Sequence, residues 1–525
     1  MKGLLTSIIT LLSFTGLQAQ SEPSTPKLIV GLTIDQLRTD YLEAFSTLYG
    51  DKGFKRLWRD GRIYLNAEFP FINPDRSSAI AAIYTGTTPS VNGIIADNWL
   101  DRSTLRPINS VDDPNYMGNY IDESTSPSQL LTSTITDELK IATQGKALVY
   151  AISPFRETAI IAAGHAGNGA FWLNTNTGKW ASTTYYNEFP WWVSQYNDRK
   201  AIDFRIDKIT WTPALPITNY KYLASEWENE EFKYHFDDAK KNKFRKLLSS
   251  PYINQEVNTL TEECLNNSTI GKDKITDFLS LTYYAGNYDH KSTLESPLET
   301  QDAYVRLDKS LAELFSILDN KIGLQNIIFF ITSTGYVHPE APDLNKYKIP
   351  RGQFYLNRCA ALLNIYLMAT YGEGQYVEAF YNQQIYLNHK LIEKKQLKLS
   401  EVQEKSVDFL MQFSGVNEVY SAHRLLLGAW NPEIYKIRNS FNRQRSGDLL
   451  ISVLPGWSIV QEQPQENNVV RAAEIPTPLI FMGRTIKPEI IQTPVTVDRI
   501  APTLTHFMRI RAPNASKALP ISLIR

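Results

Sequence analysis

Four nearly uninterrupted apolar runs, set between segments of helical periodicity, constrain this chain more than any other feature. Lys27-Leu28-Ile29-Val30-Gly31-Leu32-Thr33-Ile34-Asp35 is apolar throughout and ends in an acid. A strand of a parallel sheet, covered on both faces, reads in this way and carries its functional residue at its C-terminal edge. Asp273 to Tyr283, Ile327 to Thr332 and Pro478 to Gly483 repeat the pattern. Between them, a helix carries Phe54, Leu57 and Trp58, and a second, rich in small residues, runs from Ser77 to Tyr84. A third spans Thr300 to Leu318, with Leu307, Leu311, Leu314 and Leu318 at helical spacing. Strands alternating with helices predict an α/β fold, a largely parallel central sheet flanked by helices.

Two stretches do not fit that alternation and read as cap insertions on one domain spanning residues 20–525. Residues from about 150 to 260 hold Trp172, Trp180, Tyr185, Tyr186, Trp191 and Trp192. Residues from about 340 to 445 contain two segments read as helical, around Tyr376 to Tyr386 and Leu399 to Phe413. The N-terminus has the pattern of a secretory signal over residues 1–19: Met1-Lys2, an apolar run from Leu4 to Leu17, then Ala19. No second run is long enough to span a bilayer, so the expectation is an exported protein of the periplasm or cell surface. A net charge of −1 gives no electrostatic basis for nucleic-acid or anionic-membrane binding. The two cysteines, Cys264 and Cys359, either pair in an oxidising compartment or remain free and buried; sequence does not choose between these.

Chemistry enters with Asn73-Pro74-Asp75-Arg76-Ser77-Ser78-Ala79-Ile80, which continues through Thr85-Gly86 to Gly93-Ile94. This segment resembles the nucleophile segment of the alkaline phosphatase superfamily, in its nucleotide pyrophosphatase/phosphodiesterase branch and the secreted alkaline phosphatases related to it. The resemblance extends over nearly the whole mature chain. Gly164 to Trp172 and Ser182 to Tyr186 resemble the insertion near the family's substrate, and Glu299 to Asp308 resembles the helix after the second metal loop. Tyr371 to Gly374, Gly415 to Tyr420 and Asp498 to Leu504 follow in the family's order.

That resemblance implies two close zinc ions and a Thr or Ser alkoxide nucleophile. Counting back from Thr85-Gly86 puts Arg76 at the nucleophile position and Ile80 at the adjoining His position. A guanidinium stays protonated and cannot attack phosphorus. Asp35 matches the first metal ligand. The second metal loop places Asn287 and Lys291 where the family has Asp and His, and the third places Ser333 and Thr334 where it has Asp and His. The last His position falls near Asn467-Asn468. With two cations introduced and one ligand kept, a dizinc site would meet Coulomb repulsion at contact distance. On the substrate side the family's Lys-x-Arg pair is Pro154-Phe155-Arg156, and its Asn on the following loop is Asp97, beside Asn98.

Competing readings stay modest. A one-residue slip would make Asp289 and His290 ligands, and Ser77 or Ser78 would need a metal or a base to serve as a nucleophile. His165 and His338 read as loop histidines. The expectation is therefore an exported, catalytically inactive member of the superfamily that carries no metal and has a structural or binding role beside an exported or outer-membrane protein. Aromatic residues between Trp180 and Trp192 and between Tyr376 and Tyr386 would anchor that contact. The alternative is an active metal-dependent phosphate or sulfate ester hydrolase with a rearranged site. Arg76 and Lys291 are expected to pair with Asp35, with Asp97 nearby. Arg76, Arg156 and Lys291 are the candidates for holding a small anion.

Overall fold

The computed structural model describes residues 25–186, 188–223, 231–237, 242–291, 293, 295–337, 352–429, 431–460 and 473–523. The signal segment 1–19, His338 and Asn467-Asn468 lie outside them.

The four apolar runs all become buried strands: Leu28–Asp35, Asp277–Tyr284, Ile327–Ser333 and Thr477–Gly483. Five parallel strands form the centre of a large sheet, in the order Ile327–Ser333, Leu28–Asp35, Asp277–Tyr284, Val149–Ser153, Gly169–Leu173. Antiparallel strands flank them, Thr477–Gly483 on one side and Trp180–Thr183 on the other. Leu28–Asp35 is central and buried at every position, so its final residue, Asp35, emerges at the C-terminal edge where α/β sheets place their sites.

Helices cover both faces. Helix Pro297–Lys321 packs Leu307, Leu311, Leu314 and Leu318 into one apolar core together with Phe315 and Phe329. Helix Arg76–Thr85 lies against the opposite face with Ile80, Ile83 and Tyr84 in the second core. Asp75 caps it, accepting from the Ser78 amide at 3.0 Å, and Gly86 ends it in the left-handed conformation at φ 62°. Gly31 lets this helix approach. A β-carbon there would stand 2.4 Å from the Phe330 ring and 2.9 Å from the Tyr84 hydroxyl.

The aromatic-rich stretch expected as a cap is in part sheet. Val149–Ser153, Gly169–Leu173 and Trp180–Thr183 are central-sheet strands, and Trp172 and Trp180 point into cores because those strands are covered on both sides. The later insertion is a second lobe with its own core, and it continues to residue 460. Its four-stranded sheet runs Val377–Tyr381, Gln384–Leu387, Leu449–Val453, Val416–Ser421, packed by helices Leu356–Tyr371 and Leu399–Leu410. The helix expected around Tyr376 to Tyr386 is instead a hairpin that turns at Asn382, φ 53°. Tyr376, Ala379 and Phe380 have helical spacing, but the left-handed Asn382 reverses the chain and the alternate residues Ile385 and Leu387 enter the lobe's core.

Asp448 joins the lobes. It accepts hydrogen bonds from Arg102 at 3.2 Å, His389 Nε2 at 2.7 Å, Gln403 Nε2 at 3.2 Å and the Leu387 amide at 2.8 Å. Cys264 sits in the main core and Cys359 in the second lobe's core, so the pairing alternative fails; both are free, and burial pushes each thiol up to about 12. Among the described residues no helix is long and apolar enough to cross a membrane.

Replacing Gly31 by alanine overpacks the seam between the central strand and helix Arg76–Thr85. Gly31→Ala is expected to destabilise the fold by about 1–3 kcal/mol, read from urea denaturation midpoints. An unchanged midpoint would show that the helix relaxes away without loss.

Candidate functional site

The C-terminal end of the central strand, the N-terminus of helix Arg76–Thr85, the end of strand Ile327–Ser333 and the loop after Tyr284 meet at one place. Arg76 fills it. Its Nη2 lies 2.9 Å and its Nε 3.2 Å from Asp35 Oδ2. The other carboxylate oxygen, Oδ1, accepts from the Thr334 hydroxyl at 2.8 Å, and that hydroxyl in turn accepts from the Gln36 amide at 3.0 Å. The guanidinium rests on the Phe155 ring at 3.6 Å. Asp35 is fully buried, and the Arg76 side chain is 17% exposed. Burial works against the Arg76 charge most strongly, but the Asp35 carboxylate, together with Tyr336, Asp97 and Glu157, more than offsets it and raises the pKa above its usual value.

Arg76 occupies the first turn of its helix, where a cation opposes the helix dipole. The acids around it answer that field. Asp75 takes the Ser78 amide and hydroxyl on Oδ1 and the Asp97 amide on Oδ2, while Asp97 Oδ1 takes the Ser77 amide at 2.8 Å. Burial first, and the neighbouring Asp97 charge second, push the Asp75 carboxyl up to about 7.

The other expected site residues do not converge on Asp35. Lys291 turns to Tyr234 instead, 3.4 Å from its hydroxyl and 5.3 Å from its ring centroid, and that hydroxyl donates to Glu299 at 2.6 Å. An ammonium at the edge of an aromatic cluster holding Trp211 and Tyr288 is better placed than beside a second buried cation. Asp97 caps the helix rather than pairing with Arg76. Arg156 binds Asp112 at 3.0 Å and Thr125 at 3.3 Å. The three cations considered for an anion therefore each have a different partner.

Asn287 ties its loop to the next helix, donating to Thr293 at 3.1 Å and accepting from Thr300 at 3.2 Å. Ser333 accepts the Gly335 amide at 3.3 Å. Asp289 and His290 both adopt left-handed conformations, φ 51° and 56°; Asp289 pairs with Lys246 at 3.3 Å, and burial together with the Arg76 charge lowers the His290 pKa. Ser77 Oγ bonds to Ser110 Oγ, while Ser78 Oγ donates to the Asp75 carboxylate that caps the helix. Asp35, Asn287, Lys291, Ser333 and Thr334 do not fit a zinc pair: one carboxylate is present, it is already bound to a guanidinium, and the remaining donors are neutral or cationic. No group of three His, Cys, Asp or Glu side chains suited to a metal occurs among the described residues.

Phe155 was not singled out as a site residue from the sequence, and Thr334 appeared only as a lost ligand. The signal for Phe155 was its place in Pro154-Phe155-Arg156, between two positions read as substrate-binding. His165 is a satisfied histidine, with Nδ1 2.9 Å from Asp137 and Nε2 3.0 Å from the Leu130 carbonyl. The aromatic anchors expected at a partner surface are interior: Trp180, Trp192, Tyr376 and Tyr386 are buried, leaving Trp191, 62% exposed, as the exception among the tryptophans and tyrosines at those ends.

This arrangement, an α/β sheet with its site on the strand ends under the helix Arg76–Thr85, belongs to a known class. Residues 29–473 match the model of the Type I phosphodiesterase / nucleotide pyrophosphatase family, and the chain is a member of that family within the alkaline phosphatase superfamily. It is 29% identical to alkaline phosphatase PafA of Elizabethkingia meningoseptica, over 99% of this chain and 98% of that one. It is also 29% identical to alkaline phosphatase PhoV of Synechococcus elongatus, over 95% and 94%. A protein of Myroides odoratus named as a calcium-transporting ATPase is 28% identical over 98% of each chain. The crystal structure of wild-type PafA superposes with a TM-score of 0.82 at 27% identity, covering 95% of this chain and 99% of that one.

Two outcomes follow from the geometry. Asp35→Ala strands a buried guanidinium and should destabilise by roughly 3–5 kcal/mol, whereas Asp35→Ala with Arg76→Met should recover most of that loss in chemical denaturation. A single-variant loss near zero would mean the pair does not lock the site. Second, Asp75 carries a raised folded-state pKa, so its share of stability is complete below the unfolded value near 3.8 and is lost as pH rises through about 7. Asp97→Asn keeps the Ser77 contact and removes the repulsion. It should lower the Asp75 midpoint in carboxyl NMR titrations and raise stability at pH 8 relative to pH 5 by about 1.4 kcal/mol per unit of that fall.

Proposed function

We propose that this protein is a catalytically inactive member of its family, exported to the periplasm or cell surface, with a structural or binding role in a cell-envelope assembly. One observation carries the reading: Arg76, at the position the resemblance assigns to the nucleophile, occupies the Asp35 carboxylate by charge-assisted hydrogen bonds. In-line displacement at phosphorus needs a nucleophile that can be deprotonated and a means of stabilising the leaving oxygen. Arg76 supplies no nucleophile, and the carboxylate that would hold a metal is neutralised. The inactive reading therefore includes no resident zinc.

The partner is inferred by elimination. A net charge of −1 favours neither nucleic acid nor anionic lipid, which leaves another exported or outer-membrane protein. A small anion is a weaker candidate, because Arg76, Arg156 and Lys291 are separately engaged. The active alternative, a metal-dependent phosphate or sulfate ester hydrolase, draws its support from full-length similarity to proteins named alkaline phosphatases.

Metal analysis of the purified mature chain, paired with phosphomonoester, phosphodiester and sulfate ester assays with and without added zinc, separates the two readings. The expected outcome is no stoichiometric zinc and no turnover above buffer. Two zinc ions per chain with metal-dependent turnover would establish the hydrolase instead.

A further inference from the structure

A cavity of about 380 Å³ lies between the cap of helix Arg76–Thr85 and the second lobe. It is open to solvent on one side, and its volume falls in the range of small-molecule pockets, about 300–1,000 Å³. The main lobe contributes the segments 72–75 and 95–98; the second lobe contributes the hairpin turn 381–384 with Ser440, Phe441, Ser446 and Leu450. Its walls are fixed in advance. The Ile72 amide donates to Ser440 Oγ at 2.9 Å, Asn73 Nδ2 lies 3.4 Å from Gln383 Oε1, and Gln384 Oε1 takes the Gly447 amide at 2.5 Å. Arg102 and Asp448 hold the same two lobes together beside it.

The chemistry of this lining differs from that of a phosphoryl site. No Lys, Arg or His is among its residues, and two carboxylates, Asp75 and Asp97, are. Phosphate, sulfate and carboxylate ligands would meet repulsion without a counter-charge. The wall is rich in side-chain amides drawn from three separate segments: Asn73, Asn98, and Asn382 with Gln383 and Gln384. Each amide carries both donors and acceptors, and the carboxylates add acceptors. A hydroxyl also donates and accepts, so a ligand bearing several hydroxyls matches this wall better than one with a single charged group. Apolar surface from Tyr381, Phe441, Ile95 and Leu450 stands among these polar groups, as the C–H faces of a sugar ring require.

We propose that this interlobe cavity is a binding site for a neutral saccharide, one or two rings in size, held by the amides of the two lobes and the Asp75–Asp97 carboxylates. Neither Asp35 nor Arg76 lines this site, so a sugar-binding measurement and the metal and turnover assays can fail separately. A sugar bound here bridges the lobes, and it gives a chain without a nucleophile a use for the cleft beside its helix cap.

Calorimetry and saturation-transfer NMR on the mature full-length chain would test this against glucose, galactose, mannose, N-acetylglucosamine, and α- and β-linked disaccharides. Inorganic phosphate and sulfate serve as anionic comparators. Disaccharides binding more tightly than monosaccharides would point to the end of a glycan chain, and the reverse to a free sugar. The expected result is saturable binding of at least one neutral saccharide, not displaced by phosphate, and weakened about tenfold or more by Gln383→Ala and by Asn98→Ala. Leu450→Trp, which fills the cavity, should abolish it, and far-ultraviolet circular dichroism of each variant separates loss of binding from loss of fold. No binding across the panel overturns the proposal, as does binding that survives undiminished in the folded variants or that phosphate displaces.

Discussion

A guanidinium at the first turn of a helix, above the end of a central parallel strand, is an unfavourable arrangement until something neutralises it. The N–H groups of that turn carry partial positive charge, and its residues Ser77, Ser78 and Ala79 are buried away from water. Asp35 is what makes Arg76 tolerable there, and the dependence is mutual: a fully buried carboxylate at a strand end also needs a cation. In relatives that bind metal the resemblance implies that cations in the same space serve this purpose. Here the cation is covalently part of the chain. It reaches the carboxylate from the neighbouring helix and uses Phe155 as a floor. The rest of the site then follows. Thr334 orients Asp35 through its hydroxyl, and Asn287 stitches its loop to the following helix.

Much of the main sheet was legible because strands covered on both faces cannot hide. Leu28 to Ile34 and Ile327 to Ile331 admit few polar residues, and the helix Pro297–Lys321 shows its leucines at regular spacing. The same physics misled where burial and local spacing pulled apart. Trp172 and Trp180 read as cap aromatics because their stretch is rich in Trp and Tyr and falls outside the plain alternation, yet both sit in strands of the central sheet. The stretch from Tyr376 read as helix, while the decisive residue was Asn382, whose side chain tolerates the left-handed turn of the hairpin.

At the site, Asp35, Arg76 and Thr334 meet where the chain's own topology dictates, at adjacent strand ends and a helix start. Arg76 and Asp35 are 41 residues apart and meet because strand and helix both terminate on that edge. Lys291 went elsewhere for a reason no alignment column contains. Its loop lies beside Tyr234, which comes from the two-residue strand Tyr234–His235 and packs against Trp211 and Tyr288. A strand that short shows no periodicity, so sequence reasoning supplied the charge of Lys291 and not its destination.

Asp97 stands where the resemblance implies a neutral amide, and the charge balance explains how the fold carries it. Adding one carboxylate beside Asp75 would be unfavourable in isolation, and after burial that repulsion is the second cause of the raised Asp75 carboxyl. Yet the two acids stand at the positive end of the helix and close to the Arg76 charge, where negative charge is favoured. Their hydrogen bonds go to the Asp97, Ser77 and Ser78 amides, so the unpaired donors of the first turn are satisfied by side chains. An anionic ligand in a catalytic relative would compete for that same field. In this chain the field is already answered from within, which is consistent with a cleft whose remaining polar surface is made of amides and carboxylates and offers no positive charge.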